Sequence, residues 1–148
     1  MLRLSKLADY SCQVMAFMAR DSAIHSASEV ASGLGMAVPT VSKILKILAR
    51  YHLVESVLGA KGGYALARYP KDISIAEIIN AMEGPISITE CSSTSTCERE
   101  SFCSTKGKLQ NINHLIQEAL DKVSLAEMIT PKSHVVDISA ISSRSASL

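Results

Sequence analysis

The sequence predicts a mainly α fold with a small β-wing, and three observations carry that prediction. Apolar residues recur at three- and four-residue spacing through four separate stretches, the signature of amphipathic helices. The pairs Ser26/Glu29, Ser74/Glu77 and Ser124/Glu127 are capping boxes, each marking a helix start. One section, residues 53–67, breaks the helical period around a glycine-rich centre and reads as a hairpin.

The first helix is expected from Leu7 to Arg20, with Leu7, Tyr10, Val14, Phe17 and Met18 as its apolar side. A second, short helix starts near Ala27 and runs through Val30 and Ala31 to a stop at Gly33 or Gly35. After a very short turn, Pro39 suits a first helical position. Val41, Ile44, Leu45 and Leu48 then form the core stripe of a third helix ending near Tyr51. Residues 53–58 and 64–67 are short strands joined by Gly59, Ala60, Lys61, Gly62 and Gly63. A fourth helix passes through Ile75, Ile78, Ile79 and Met82 to Gly84-Pro85, and a long fifth from about Thr105 to Lys122. The apolar side of the fifth helix, Leu109, Ile112, Leu115, Ile116, Ala119, Leu120 and Val123, is wide for the end of a small domain. Pairing with a second copy would bury it, so a homodimer is expected. A last short helical turn follows Ser124, and from Lys132 the serine-rich tail is expected to be disordered.

Helix, short helix, tight turn, helix and two-stranded wing within about seventy residues is the winged helix-turn-helix plan. The expected organisation is a DNA-binding domain at 1–84, a cysteine loop at 85–104, a dimerisation region at 105–130 and a tail at 131–148. With the core stripe of the third helix inward, Thr40, Lys43, Lys46, Ile47 and Arg50 face outward, on the stripe that enters a major groove, and Ser42 is expected among the DNA-contacting residues too. Taken alone, Lys43, Lys46 and Arg50 would merely solvate a surface helix. The preceding helix and following wing favour double-stranded DNA. At the wing tip, Lys61 brings charge and Gly62 permits close backbone approach, which suits either a minor-groove contact or a plain hairpin turn.

Charge is uneven in the same direction. The chain of 148 residues has a net charge of +1, with eight Lys/Arg against four Asp/Glu in residues 1–68 and seven against ten in residues 69–148. The basic half coincides with the DNA-binding domain. No run reaches the roughly 18 apolar residues of a membrane span, and Lys6, Asp9 and Gln13 interrupt any apolar leader. A cytoplasmic protein without a membrane partner is expected. An enzyme is not: no phosphate-binding glycine loop, nucleophile elbow or paired acid-base motif occurs, and His25, His52, His114 and His134 are scattered.

Cys91, Cys97 and Cys103 are evenly spaced in the loop before the long helix, and no apolar residue lies between the first two. Such a segment cannot order itself by burying surface, and thiolates converging on a metal would tie it together. In a reducing compartment, metal binding or thiol redox chemistry takes precedence over disulfides. Zinc is one candidate, although its structural sites favour closer cysteine pairs. Reversible oxidation without metal is another.

The opening Leu2-Arg3-Leu4-Ser5-Lys6-Leu7-Ala8-Asp9-Tyr10, the wing Gly62-Gly63-Tyr64-Ala65-Leu66-Ala67, the helix Ile75-Ala76-Glu77-Ile78-Ile79 and the three cysteines resemble, in order, the Rrf-type regulators. That family contains the iron-sulfur regulator IscR and the nitric-oxide sensor NsrR, and the closest resemblance is to its SUF iron-sulfur assembly operon branch. The likeness covers about residues 1–130. It implies a homodimer crossing through the long helix, palindromic DNA, and an iron-sulfur cluster, of two-iron or four-iron form, on Cys91, Cys97 and Cys103. IscR places a histidine three residues after its last cysteine, where this chain has Lys106. NsrR uses an aspartate from the partner subunit, and Asp9 stands at that position. Cys12, His114, a small molecule or water are the other candidates for a fourth ligand, as is a site with no fixed fourth ligand. Leu58 and Ser42 replace residues with which IscR selects its DNA, so site preference is not carried over. The alternative function is a small metal-binding or thiol-redox protein without cluster-gated DNA binding.

Overall fold

A computed structural model describes residues 3–89 and 103–130. Its elements run α1 (Lys6–Met18), α2 (Ala27–Leu34), α3 (Val38–Arg50), β1 (Val54–Val57), β2 (Gly63–Leu66), α4 (Ile75–Glu83), α5 (Lys106–Asp121) and α6 (Leu125–Ile129). Each predicted helix and both strands are present. A turn of 3₁₀ helix at Pro70–Asp72 adds to them. No single helix among the described residues is long and apolar enough to cross a membrane. The anticipated disorder of residues 131–148, and most of the cysteine loop, lie outside the described residues.

Local chemistry sets the boundaries. Ser26, Ser74 and Ser124 each accept a hydrogen bond from the backbone three residues on, and Glu29, Glu77 and Glu127 reach back to the caps, completing all three capping boxes. Helix α2 ends in a left-handed Gly35, where Met36 N–H donates to the Ala31 carbonyl at 2.9 Å. Helix α3 ends in the same motif, except that His52 occupies the left-handed position at φ 56°. Leu53 N–H donates to the Leu48 carbonyl at 3.0 Å and His52 N–H to that of Ala49 at 3.1 Å, which satisfies two carbonyls of the last turn.

One core joins all the helices. Val14, Met15 and Met18 of α1, Val41, Ile44, Leu45 and Leu48 of α3, Ile78 and Ile79 of α4, and Leu53, Ile73 and Leu125 are all buried. Strands β1 and β2 pair antiparallel, Val54 opposite Leu66 and Val57 opposite Gly63. The turn between α1 and α2 joins this ladder: His25 and Tyr64 exchange two backbone hydrogen bonds, at 2.9 and 2.8 Å. Gly63 is required there, because a Cβ would lie 2.5 Å from the His25 carbonyl oxygen. The wing is thereby fastened to the start of α2.

The C-terminal part is stitched on through backbone bonds. Ile75 N–H donates to the Val123 carbonyl at 2.9 Å, and Leu125 N–H to that of Ile73 at 2.8 Å. Leu125 is fully buried, so the end of α5 and the start of α6 belong to the same core as the DNA-binding plan.

Candidate nucleic-acid interface and metal loop

Helix α3 divides its residues cleanly between two faces. Val41, Ile44, Leu45 and Leu48 have no exposure and anchor it, while Lys43, Lys46 and Arg50 stand in solvent. Pro39, Ser42, Lys43, Lys46, Ile47 and Arg50 line one shallow groove along the outer face. Ser42, Lys43, Lys46 and Arg50 from the sequence reading are thus brought together. Thr40 is half-buried and does not line the groove. Pro39 does. It was legible only as a helix start, because its side chain carries no charge or hydrogen-bonding group to flag it.

At the wing tip Lys61 is exposed. Gly62 has an internal reason to be glycine: its N–H donates to the Gly59 carbonyl at 2.9 Å, and a Cβ would lie 2.4 Å from the Val57 carbonyl oxygen. The turn therefore demands Gly62 whatever the tip touches. Leu58 beside it is 93% exposed.

The wing is also braced from behind. His25 Nε2 lies 2.8 Å from Asp21 Oδ1, and the His25 ring meets Phe17 edge-on with centroids 5.4 Å apart. Arg20 covers the Phe17 ring at 5.1 Å. The Ala23 amide and the His25 ring hold the Asp21 carboxyl below its usual range.

Of the cysteine trio only Cys103 is described; Cys91 and Cys97 lie outside the described residues. Cys103 is exposed just before α5, with Sγ 3.4 Å from Thr105 Oγ1. That hydroxyl, helped by the Thr105 and Lys106 amides and the Lys106 charge, lowers the thiol pKa. Cys12 is the opposite case: buried in α1, its thiol is pushed up to about 11 by burial and by the nearby Asp9 charge. A neutral, enclosed thiol of that kind is a poor ligand. His114 lies on the exposed side of α5, 3.0 Å from Glu118. Asp9 is exposed in the first turn of α1 and free to face another molecule. Among the described residues no three His, Cys, Asp or Glu side chains converge on a point.

The stem of the loop is well held. Ile86 N–H donates to Asn80 Oδ1 at 3.1 Å, and the Ile86 carbonyl accepts from Asn113 Nδ2 at 3.2 Å and Gln117 Nε2 at 3.0 Å. Ile88 N–H donates to Asn113 Oδ1 at 3.0 Å.

The family model Rrf2, described as an iron-dependent transcriptional regulator, matches residues 4–131. The transcriptional regulator NsrR of Halalkalibacterium halodurans is 25% identical over 133 residues, covering 87% of this chain and 91% of that protein. Among solved structures, T. potens IscR aligns with a TM-score of 0.67 at 30% identity, covering 86% of each chain. CymR, the global cysteine regulator of B. subtilis, aligns with a TM-score of 0.71 at 26% identity, covering 87% of this chain and 97% of that one.

Proposed function

The chain belongs to the Rrf2 family of transcription regulators, and on that premise we propose that it is a homodimer whose grip on palindromic DNA depends on an iron-sulfur cluster. The cluster reports iron-sulfur status or redox and nitric-oxide stress, and the regulated genes are those of iron-sulfur assembly. The observation that carries this reading is Cys103. An exposed thiol biased toward thiolate, at the head of a helix with an open apolar side, is suited to bind metal next to a subunit interface.

In this reading α3 lies in the major groove, with Pro39 and Ser42 near base edges and Lys43, Lys46 and Arg50 toward phosphates, while Lys61 and the Gly62 backbone approach the adjoining minor groove. Ile112, Leu115 and Met128, each between 40% and 46% exposed, are covered by the second subunit.

The donor set suits a cluster: Cys91, Cys97 and Cys103 as thiolates, and the Asp9 carboxylate of the second subunit as the harder, more labile fourth ligand. When bound, the cluster supplies a redox-active centre. The protein's part is to bias Cys103 toward thiolate through Thr105, to hold the loop stem at Ile86, and to place Asp9 on an exposed turn. Asp9, were it to hold the cluster, would link the metal to α1, whose Ser5 N–H is tied to Glu83 Oε1 of α4 at 2.7 Å and so to the DNA-binding core.

The test is anaerobic purification with absorbance, iron and sulfide analysis of wild type, Cys97→Ala and Asp9→Ala. Coloured wild type with iron and sulfide, colourless Cys97→Ala and an altered Asp9→Ala spectrum are expected. Colourless wild type carrying stoichiometric zinc overturns the cluster, and an unchanged Asp9→Ala spectrum removes Asp9 as a ligand.

A further inference from the structure

Asn113 is one of two buried polar residues among those described, 6% exposed in the middle of α5. Helix interiors disfavour asparagine, whose amide competes with backbone hydrogen bonding. Here the amide is used up elsewhere. Its Oδ1 accepts from Ile88 N–H at 3.0 Å and its Nδ2 donates to the Ile86 carbonyl at 3.2 Å. A primary amide can pair in this two-sided way with the backbone on either side of one residue, as a neighbouring strand would. Gln117, one helical turn on, adds a second donor to the Ile86 carbonyl, and Asn80 of α4 accepts from Ile86 N–H. Three amide side chains from two helices therefore hold one short piece of backbone, and no buried side-chain nitrogen or oxygen among the described residues lacks a partner.

The position of this clamp matters more than its strength. Residues 86–88 are the stem of the cysteine loop, three to five residues before Cys91 in the chain. Asn80 stands on α4, which packs on both α1 and α3. Asn113 and Gln117 stand on α5, whose N-terminal end follows Cys103 directly. A pull on the stem is thus delivered to α4, and from there to the helix that carries the groove. Directional hydrogen bonds fix the stem to α4 and α5, and the close-packed contact of α4 with α3 carries a displacement onward.

The geometry points to Asn113, with Gln117 and Asn80, as the positioning group that couples the state of the cysteine loop to DNA affinity. This rests on the function proposed above, since it presumes a loop whose occupancy changes DNA binding. Asn113 touches neither metal nor DNA; it acts through Ile86 and Ile88.

The experiment uses the full chain, loaded with cluster and stripped of it, and a duplex that the wild type retains from a random pool. Its reading is the ratio of the two dissociation constants for wild type, Asn113→Ala and Gln117→Leu, with cluster absorbance and thermal midpoint recorded for each. Gln117→Leu guards against Asn113→Ala failing to fold, because it removes one donor and leaves the Asn113 pair in place. A wild-type ratio of about 10-fold or more is in the usual range for linked sites. It is expected to fall to within about 3-fold of unity in Gln117→Leu, and further in Asn113→Ala, with the cluster spectrum retained. Variants that weaken both forms alike and keep the wild-type ratio overturn the positioning role. A wild-type ratio of one overturns the proposed function itself, a failure visible without any variant.

Discussion

Cys103 lies exposed before α5 with a hydroxyl against its sulfur, whereas Cys12 is enclosed within α1. The two thiols therefore shift in opposite directions, Cys103 down and Cys12 up to about 11. Thiolate is the reactive form, so alkylation by iodoacetamide in cluster-free protein should modify Cys103 at neutral pH and spare Cys12 until the chain unfolds. Thr105→Val should move the Cys103 rate profile to higher pH. The sign for stability follows from Cys12: its folded-state pKa lies above the ordinary thiol value of 9.0, so the folded chain keeps a proton that the unfolded chain releases. Stability from this group is present below pH 9 and is lost as pH climbs toward about 11. Peptide mass spectrometry across pH checks the order, and equal rates at the two cysteines would contradict it.

Helix α5 is the element whose sequence and burial disagree. Its end is fixed by Leu120 and Val123 packing on the core, but Ile112 and Leu115 remain open. Leu115→Asp should leave the chain folded and convert the proposed dimer to monomer, weakening association by more than about 100-fold, in line with burying an unpaired charge at an apolar contact. Sedimentation velocity reads this directly. Wild type that stays monomeric at tens of micromolar would contradict it. The helices themselves were legible because their signals are local: three capping boxes and clean apolar stripes lie within single segments. What escaped notice depends on distant partners. The His25–Tyr64 pairing joins a loop to a strand thirty-nine positions away, and no property of either residue announces it. His52 in the left-handed position went unseen for a related reason, since glycine is the usual marker of that cap.

The whole molecule connects two ends of one core. Groove residues on α3 sit over Ile44 and Leu48, these pack with α1 and α4, and α4 carries Asn80 on the loop stem. The front of this chain could be read from sequence, because one helix supplies the whole groove: Lys43, Lys46, Ile47 and Arg50 fall on one face by spacing alone. The metal end could be read only as three cysteines and an aspartate. In the proposed dimer, which of them meet would be decided by packing between subunits, which helical period does not encode. Thr105 illustrates the gap, for it marked a helix start in the sequence and acts in the structure on the Cys103 thiol.

The central claim is that cluster occupancy sets DNA affinity. It is tested most directly by anaerobic fluorescence anisotropy of one selected palindromic duplex, titrated with the same preparation before and after chelation of its iron, over a series of salt concentrations. The account predicts dissociation constants differing by about 10-fold or more between the two forms, with binding that weakens steeply as salt rises because Lys43, Lys46 and Arg50 displace counterions from phosphates. Equal affinities for the two forms, or binding indifferent to salt, would contradict it.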